Sequence, residues 1–194
     1  MAFQPLDCFQ ALTPGLQRSH PRWQHVGTTH FVTLRLVDAL PAAAKVRLAD
    51  PRYRNTYETF SLIERHLDSG RGACLFRNPA NAEVVISAMR HFDGQRYHLG
   101  AFVIMPNHVH AVLQPLRPHT TATVVEDWKS YTAQILRLRL HLAGKFWHPE
   151  TFERLICDED ELQRYHHYIR ANPAVAGLKA GSFMIGHGAT DVSI

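Results

Sequence analysis

Two histidines separated by one valine stand in a strand-like run, AFVIMPNHVHAVLQP, near the middle of this 194-residue chain. Because side chains in a β-strand alternate between the two faces of a sheet, His108 and His110 are expected on one face and Val109 on the other. Two imidazoles on one face can bind the same divalent cation. The spacing therefore indicates a metal site, the alternative being two surface histidines on the polar face of a half-buried strand.

The residues around the histidine pair favour the metal site. Met105 to Asn107 lies between two apolar runs, and its proline and asparagine predict a tight turn. The pair then begins the second strand of a hairpin, and we expect both imidazoles to face an open cleft. A third histidine on the same face is excluded, because that position is Val112.

A helix near the C-terminus offers a nucleophile. In DEDELQRYHHYIRANP, Asp158 is expected to cap the helix and Pro173 to stop it. Tyr168 and Asn172 are four residues apart, so they lie on one face, at the edge of the apolar stripe. This places a phenol beside an amide oxygen that can bind a metal. Alternatively, Tyr168 is an interface aromatic and Asn172 only ends the helix.

A second tyrosine, Tyr131, lies within a helix expected over 121–142. Its position favours packing over chemistry, because it falls within an apolar seam of helical spacing: Val124, Trp128, Tyr131, Ile135, Leu138 and Leu142. Three basic residues of the same helix point elsewhere and are candidates for phosphate contacts: Lys129, Arg137 and Arg139.

The order of elements predicts an α+β fold. A strand over 28–37 precedes helices over 55–68 and 78–92, a hairpin over 97–114 and two further helices. This order suits a ferredoxin-like antiparallel sheet with helices packed on it, although no fourth strand is evident. We expect a single domain over 1–194, with an irregular lead-in at 1–27 and a tail of unknown role at 179–194.

Composition narrows the possible environments and partners. There is no run of 18 apolar residues and no basic, then apolar, leader, so neither a membrane segment nor a signal peptide is expected. Three distant cysteines, Cys8, Cys74 and Cys157, favour reduced thiols in the cytoplasm. The net charge of +4 suits a polyanionic partner. No glycine-rich loop of the Walker type is present.

Taken together and in order, six segments resemble the REP-associated tyrosine transposases, the single-tyrosine branch of the HUH enzymes, with insertion-sequence transposases as relatives. They are HFVTLRL, HLDSGRGACLF, MPNHVHAVLQP, WKSYTAQ, the tryptophan of GKFWHPETF, and DEDELQRYHHYIRANPAVAGL, within about residues 28–178. The resemblance implies a ferredoxin-like fold and an enzyme that nicks and rejoins single-stranded DNA.

The same resemblance implies roles for particular residues. Tyr168 is the nucleophile, which becomes linked to the 5′ phosphate and leaves a free 3′ hydroxyl. His108, His110 and Asn172 bind a divalent metal, Mg²⁺ or Mn²⁺, whereas imidazole ligands alone would favour Mn²⁺ or Zn²⁺. Because the covalent link conserves bond energy, rejoining needs no nucleotide cofactor.

The implied partner is single-stranded or hairpin DNA of the repetitive extragenic palindrome type. Its exposed bases are expected to stack on aromatics such as Trp147 or Tyr97. The protein would be a nucleoid-associated bacterial cytoplasmic protein, monomeric or homodimeric. Departures from the family pattern at Thr151 to Glu153 and at Cys157 affect a loop expected to contact DNA. Two alternatives remain: an inactive or domesticated hairpin-binding protein, and a metal hydrolase of small phosphoesters.

Overall fold

The computed structural model describes residues 27–49, 57–189 and 192, which form an antiparallel sheet with helices on both faces. The strands are β1 (His30–Arg35), β2 (Tyr97–Ile104), β3 (His108–Pro115), β4 (Phe152–Leu155) and β5 (Met184–His187). The helices are α1 (Ala42–Ala49), α2 (Tyr57–Asp68), α3 (Pro79–Arg90), α4 (Thr121–Leu140) and α5 (Glu159–Val175), with a short 3-10 turn at Leu75–Arg77.

The predicted α+β, ferredoxin-like class is confirmed. The strands lie in the order β4-β1-β3-β2-β5, and every neighbouring pair is antiparallel. Without β5, this is the order of a split βαβ sheet, in which a hairpin strand separates β1 from β2. The fourth strand that the sequence did not reveal is β4, only four residues long. The tail at 179–194 contributes β5, which pairs with β2.

Strand alternation divides the core into two layers. On one face of the sheet, the side chains of Val109 and Ala111 pack with α3 and α4. On the other face, Phe31, Val103 and Val112 pack with α5. We call this second face the α5 face. Because His108 and His110 alternate with Val109 and Ala111, they belong to the α5 face.

The predicted hairpin turn is confirmed. The backbone N–H of Met105 donates to the carbonyl oxygen of His108 at 2.9 Å, so Pro106 and Asn107 form a two-residue connection between β2 and β3. The histidine pair is therefore in the central strand of the sheet, which pairs with β1 on one side and β2 on the other. A strand hydrogen-bonded on both sides is a rigid support for ligand side chains.

The prediction of a buried apolar seam along α4 holds for Val124 and Trp128 but is wrong from Tyr131 onward. Tyr131 is 54 % exposed and Leu138 is 69 % exposed. The buried face instead comprises Thr121, Val124, Val125, Trp128, Lys129, Thr132 and Leu136. At 100° per residue, the centre of this face is roughly 80° around the helix from the predicted seam. The spacing pattern alone selected the wrong one of two overlapping stripes.

The prediction that Pro173 stops the last helix is also wrong, because α5 continues to Val175. Proline has no N–H, so one bond of the helical ladder is lost at this point. Asn172 and Pro173 are both buried, and tertiary packing holds the helix together through the interruption. Just beyond the last helical residue, Gly177 has a φ of +65°, and the N–H of Leu178 donates to the carbonyl of Pro173, which closes the end of the helix.

Other differences are smaller. Neither helix α1 nor strands β4 and β5 were predicted, and the elements that were predicted agree with the observed boundaries to within a few residues. Cys74 and Cys157 are free thiols, and Cys8 lies outside the described residues. Among the helices of the described part of the chain, none has the length and apolar character that a bilayer crossing requires.

Candidate metal and tyrosine site

The two histidines of β3 are completely buried, which corrects the prediction of an open cleft. His108 and His110 are each 0 % exposed. The α5 face is covered by helices, so the imidazoles lie beneath them rather than in solvent. The centroids of the two rings are 4.7 Å apart, as two side chains on one strand face require. Burial lowers the pKa of His108 well below its ordinary value, and His110 adds to this effect.

Asn107 fixes the tautomer of His108. The amide nitrogen of Asn107 donates to the carbonyl oxygens of Leu67 at 3.2 Å and Arg71 at 2.8 Å. Its Oδ1 therefore faces His108 Nδ1 at 2.8 Å and must accept a hydrogen bond from the Nδ1–H. This leaves Nε2 of His108 with a lone pair, and it has no hydrogen-bond partner among the described residues. A histidine oriented through its other nitrogen is the usual arrangement of a metal ligand.

His110 lies between a hydroxyl and a carboxylate. Its Nδ1 is 2.9 Å from Thr33 Oγ1, and its Nε2 is 3.2 Å from Glu64 Oε2. The second contact is close enough for an ion pair but lacks the alignment of a hydrogen bond. Phe31 stacks on the imidazole with centroids 5.4 Å apart and holds the plane of the ring. Nε2 is therefore directed toward the carboxylate of Glu64.

Glu64 is a site residue that the sequence interpretation missed. Its carboxylate and the two imidazoles offer ligand atoms that all lie within 4.8 Å of one another. Glu64 is on α2, where it follows Phe60 by four residues and precedes Leu67 by three, and all three are buried. An acidic residue within an apolar stripe of helical spacing was the available signal.

The buried polar atoms fit a divalent cation. Glu64 Oε1 and His108 Nε2 are buried without a hydrogen-bond partner in the described part of the chain. Such atoms are costly unless a ligand binds them. Imidazole and carboxylate ligands suit Mn²⁺, Zn²⁺ and related metals. Within residues 27–49 and 57–189, no other trio of His, Cys, Asp or Glu side chains has this proximity.

Tyr168 reaches this cluster from α5. The helix begins at the predicted cap, where Asp158 Oδ1 accepts a hydrogen bond from the N–H of Glu161 at 2.7 Å. The hydroxyl of Tyr168 donates a hydrogen bond to Glu64 Oε2. Its ring meets His110 edge to face, with centroids 5.4 Å apart. Tyr168 is 3 % exposed, so it is more buried than its predicted position at the stripe edge.

Burial also dominates the electrostatics of the phenol. It raises the pKa of Tyr168 well above the ordinary value, and the negative charge and hydrogen bond of Glu64 raise it further. Burial, with a smaller effect of Glu64, also raises the pKa of Asp68 to about 7. Asp68 follows Glu64 by one helical turn. Tyr168 is therefore a protonated phenol at neutral pH, held beside an acceptor for its proton.

Asn172 lies one turn beyond Tyr168 on α5. It is 2 % exposed, and its Oδ1 is a buried acceptor with no hydrogen-bond partner among the described residues. The structure thus brings His110 into contact with both His108 and Tyr168. Glu64 lies beside the two imidazoles and accepts the hydrogen bond of Tyr168. Asn172 is joined to this group through the helix that carries Tyr168.

Comparison with known proteins gives a structural likeness. The chain is similar to a REP-associated tyrosine transposase whose structure is bound to a REP hairpin, with a TM-score of 0.50 and 17 % identity, over 82 % of this chain and 74 % of the other. The two share a fold. A putative transposase from Deinococcus radiodurans R1 matches with a TM-score of 0.39 and 16 % identity, over 79 % of this chain and 96 % of the other. No protein-family model and no curated protein matches the chain.

The aromatic residues expected to stack on DNA bases are unsuitable for that role. Tyr97 is 2 % exposed, and its hydroxyl donates to the carbonyl of Met89 at 2.8 Å. Trp147 is 6 % exposed, and its indole N–H donates to Thr132 Oγ1 at 2.9 Å. Both side chains are therefore structural. Lys129, a predicted phosphate contact, is also buried and donates to the carbonyl of Pro149.

Proposed function

We propose that this chain is a transposase-like, metal-dependent enzyme that nicks and joins single-stranded DNA, with Tyr168 as the nucleophile. The observation that carries the proposal is the hydrogen bond from the Tyr168 hydroxyl to Glu64, beside the buried histidine pair. A phenol, a carboxylate and two imidazoles in one cluster supply a nucleophile, a proton acceptor and metal ligands.

The reaction follows from the positions of these groups. The Tyr168 oxygen attacks the phosphorus of a phosphodiester, and its proton passes to Glu64 Oε2, which already accepts the hydrogen bond. The bond from phosphorus to the 3′ oxygen breaks. That oxygen leaves as a 3′ hydroxyl with a proton from water, and the 5′ phosphate remains on the tyrosine. Reversal of the same steps joins a 3′ hydroxyl to the held phosphate.

The metal ligands of this proposal are His108 Nε2, His110 Nε2 and Glu64 Oε1, with Asn172 Oδ1 added by the family resemblance. A bound Mg²⁺ or Mn²⁺ would polarise the scissile phosphate and offset the negative charge of the transition state. Asn107 and Thr33 orient the two imidazoles through their Nδ1 atoms. Phe31 and Phe60, which pack against Tyr168, keep water away from the phenol.

The proposed substrate is a DNA hairpin with a single-stranded extension. The fold is shared with a tyrosine transposase bound to a REP hairpin, and the net charge of +4 suits a polyanion. We further propose that residues 1–194 act as one domain.

One observation favours a second candidate, a hairpin-binding protein that does not cut. Tyr168 is 3 % exposed, so in this conformation a phosphodiester does not reach its oxygen. A protein that had lost strand cleavage would tolerate such burial, whereas an active enzyme must move α5 or α2 when DNA binds.

A labelled hairpin incubated with the protein and Mn²⁺ distinguishes the two candidates. The enzyme is expected to give a protein–DNA adduct that survives denaturation, and Tyr168→Phe is expected to abolish the adduct while leaving DNA binding intact. Tyr131→Phe is the matched control, because Tyr131 is exposed on α4 and should not affect the adduct. A gel shift without an adduct in the wild type supports the second candidate. Loss of the adduct in Tyr131→Phe but not in Tyr168→Phe would refute the assignment of the nucleophile.

A further inference from the structure

We infer that Arg35, positioned by His148, binds a backbone phosphate of the substrate strand beside the histidine pair. The inference deepens the proposed function and rests on it for the nature of the ligand. It gives a role to the buried guanidinium of Arg35, which the proposed cleavage chemistry does not use.

The position of Arg35 follows from the sheet register. Arg35 is the last residue of β1, and its Cα pairs with that of His108 on β3. It lies two residues beyond Thr33, whose hydroxyl contacts His110, so the side chains of Thr33 and Arg35 leave the same face. Arg35 is therefore on the α5 face, in the row that contains the metal-binding imidazoles. Directly opposed side chains on neighbouring strands are near enough to act on one ligand.

The guanidinium is buried with incomplete partners. Arg35 is 3 % exposed, so, as for Tyr168, a phosphate reaches it only when the elements that cover the site move. Its Nε has no hydrogen-bond partner among the described residues. Its Nη2 is 3.5 Å from Glu150 Oε2, at the limit of an ion pair and far from the two-point geometry that arginine and carboxylate prefer. Burial lowers the pKa of Arg35, and Glu150 and Glu64 only partly oppose this. Such a buried cation is costly unless an anion completes its surroundings.

His148 positions the guanidinium of Arg35. The Nδ1 of His148 accepts hydrogen bonds from Arg35 Nη2 at 3.0 Å and from the N–H of Glu150 at 3.2 Å. Two donors on Nδ1 leave the ring proton on Nε2, on the side of the ring away from Arg35, so His148 orients the arginine and does not itself contact the same anion. Burial and the charge of Arg35 lower the pKa of His148 to about 4, so the ring keeps this neutral form at physiological pH.

The loop that carries His148 is held in place. The N–H of His148 donates to the carbonyl of Arg35 at 2.9 Å, and Lys129 Nζ donates to the carbonyl of Pro149 at 2.9 Å. A fixed loop keeps the imidazole at constant distance from the guanidinium. A guanidinium held rigidly beside a metal site suits a phosphate anion.

The charges of the site also favour an anion. A bound divalent cation would add two positive charges to that of the Arg35 guanidinium. The carboxyl groups around the site are those of Glu64 and Asp68, the latter with its pKa raised to about 7, and that of Glu150, which is 45 % exposed and screened by water. The reacting phosphodiester supplies one further negative charge, and the next phosphate along the strand supplies another. Inorganic ions would satisfy the same donors, so the test uses DNA and charge-matched variants.

The test measures binding of a fluorescent hairpin with a single-stranded extension by anisotropy, at a series of salt concentrations. All proteins carry Tyr168→Phe, so that no strand is cut. Arg35→Gln is expected to weaken binding roughly tenfold or more. It should also reduce the slope of log affinity against log salt by about 0.7, the value for one phosphate of a single strand. Arg35→Lys should retain the slope but lose affinity, because lysine lacks the planar fork.

Arg90→Gln is the matched control. It removes one positive charge from α3, where Arg90 is exposed and donates to the carbonyl of His187. Equal losses of affinity and slope in Arg35→Gln and Arg90→Gln would overturn the inference. If Arg35→Gln does not fold, His148→Ala decides: a severalfold loss of affinity with an unchanged slope supports the inference, and wild-type affinity overturns it.

The outcomes separate this inference from the proposed function. Suppose that the variants behave as expected but the wild type forms no covalent adduct: then the phosphate site stands and the nicking activity fails. If the wild type forms the adduct and Arg35→Gln binds DNA normally, only the phosphate site is wrong. If the wild type binds no hairpin, both are wrong.

Discussion

Metal binding to the histidine pair should stabilise the folded protein by a predictable amount. The ligand atoms of Glu64, His108 and His110 are already within 4.8 Å of one another, so little ordering opposes binding. At a Mn²⁺ concentration a hundredfold above the dissociation constant, linkage gives about 2.7 kcal/mol. For a chain of this size, that corresponds to a rise in Tm of roughly 5–11 °C.

The assay is thermal unfolding with and without Mn²⁺, in wild type and His108→Ala. Because His108 is fully buried and its Nδ1 donates to Asn107, the substitution should itself cost about 3 kcal/mol. The informative quantity is therefore the metal-induced rise in Tm within each protein. It should be lost in His108→Ala and retained in His91→Ala, an exposed histidine that follows α3. A full rise in His108→Ala, or none in the wild type, would refute the metal site.

Three further predictions test the surroundings of the site. Asn107→Ala removes two hydrogen bonds to backbone carbonyls and leaves the Nδ1–H of His108 unpaired, so denaturant titration should show a loss of about 3 kcal/mol, and calorimetry a Mn²⁺ affinity about 10–100-fold weaker. Asn172→Ala should weaken Mn²⁺ binding less than His108→Ala does, and equal effects in calorimetry would contradict this order. The pKa of Asp68 is raised from 3.8 to about 7, so the free energy of unfolding of the metal-free protein should decrease as pH rises through that interval. Asp68→Asn should remove this pH dependence in chelator-treated samples, and an unchanged profile would contradict it.

Features set by neighbouring residues were predictable from the sequence. The alternation of a strand placed His108 and His110 on one face, and the turn residues predicted the hairpin that carries them. The cap of α5 at Asp158 also follows a local rule. The end of the same helix does not, because packing of the buried Pro173 outweighs the lost backbone bond. Short strands such as β4 have too few residues to show a period.

Contacts between distant segments decide the rest of the site, and here the patterns of single elements mislead. Tyr131 and Tyr168 both lie on amphipathic helices, yet one is 54 % exposed and the other 3 %. Tyr168 contacts Glu64, which is 104 residues away in the chain, and His110 contacts Thr33 across 77 residues. No spacing rule links such positions, so the sequence interpretation did not identify Glu64 and Arg35 as site residues. Each is nevertheless a charged residue within an apolar run. A charged residue in a stripe that should be buried is therefore the sequence signal with most chemical meaning, because burial of a charge must be offset by a partner that the sequence alone does not name.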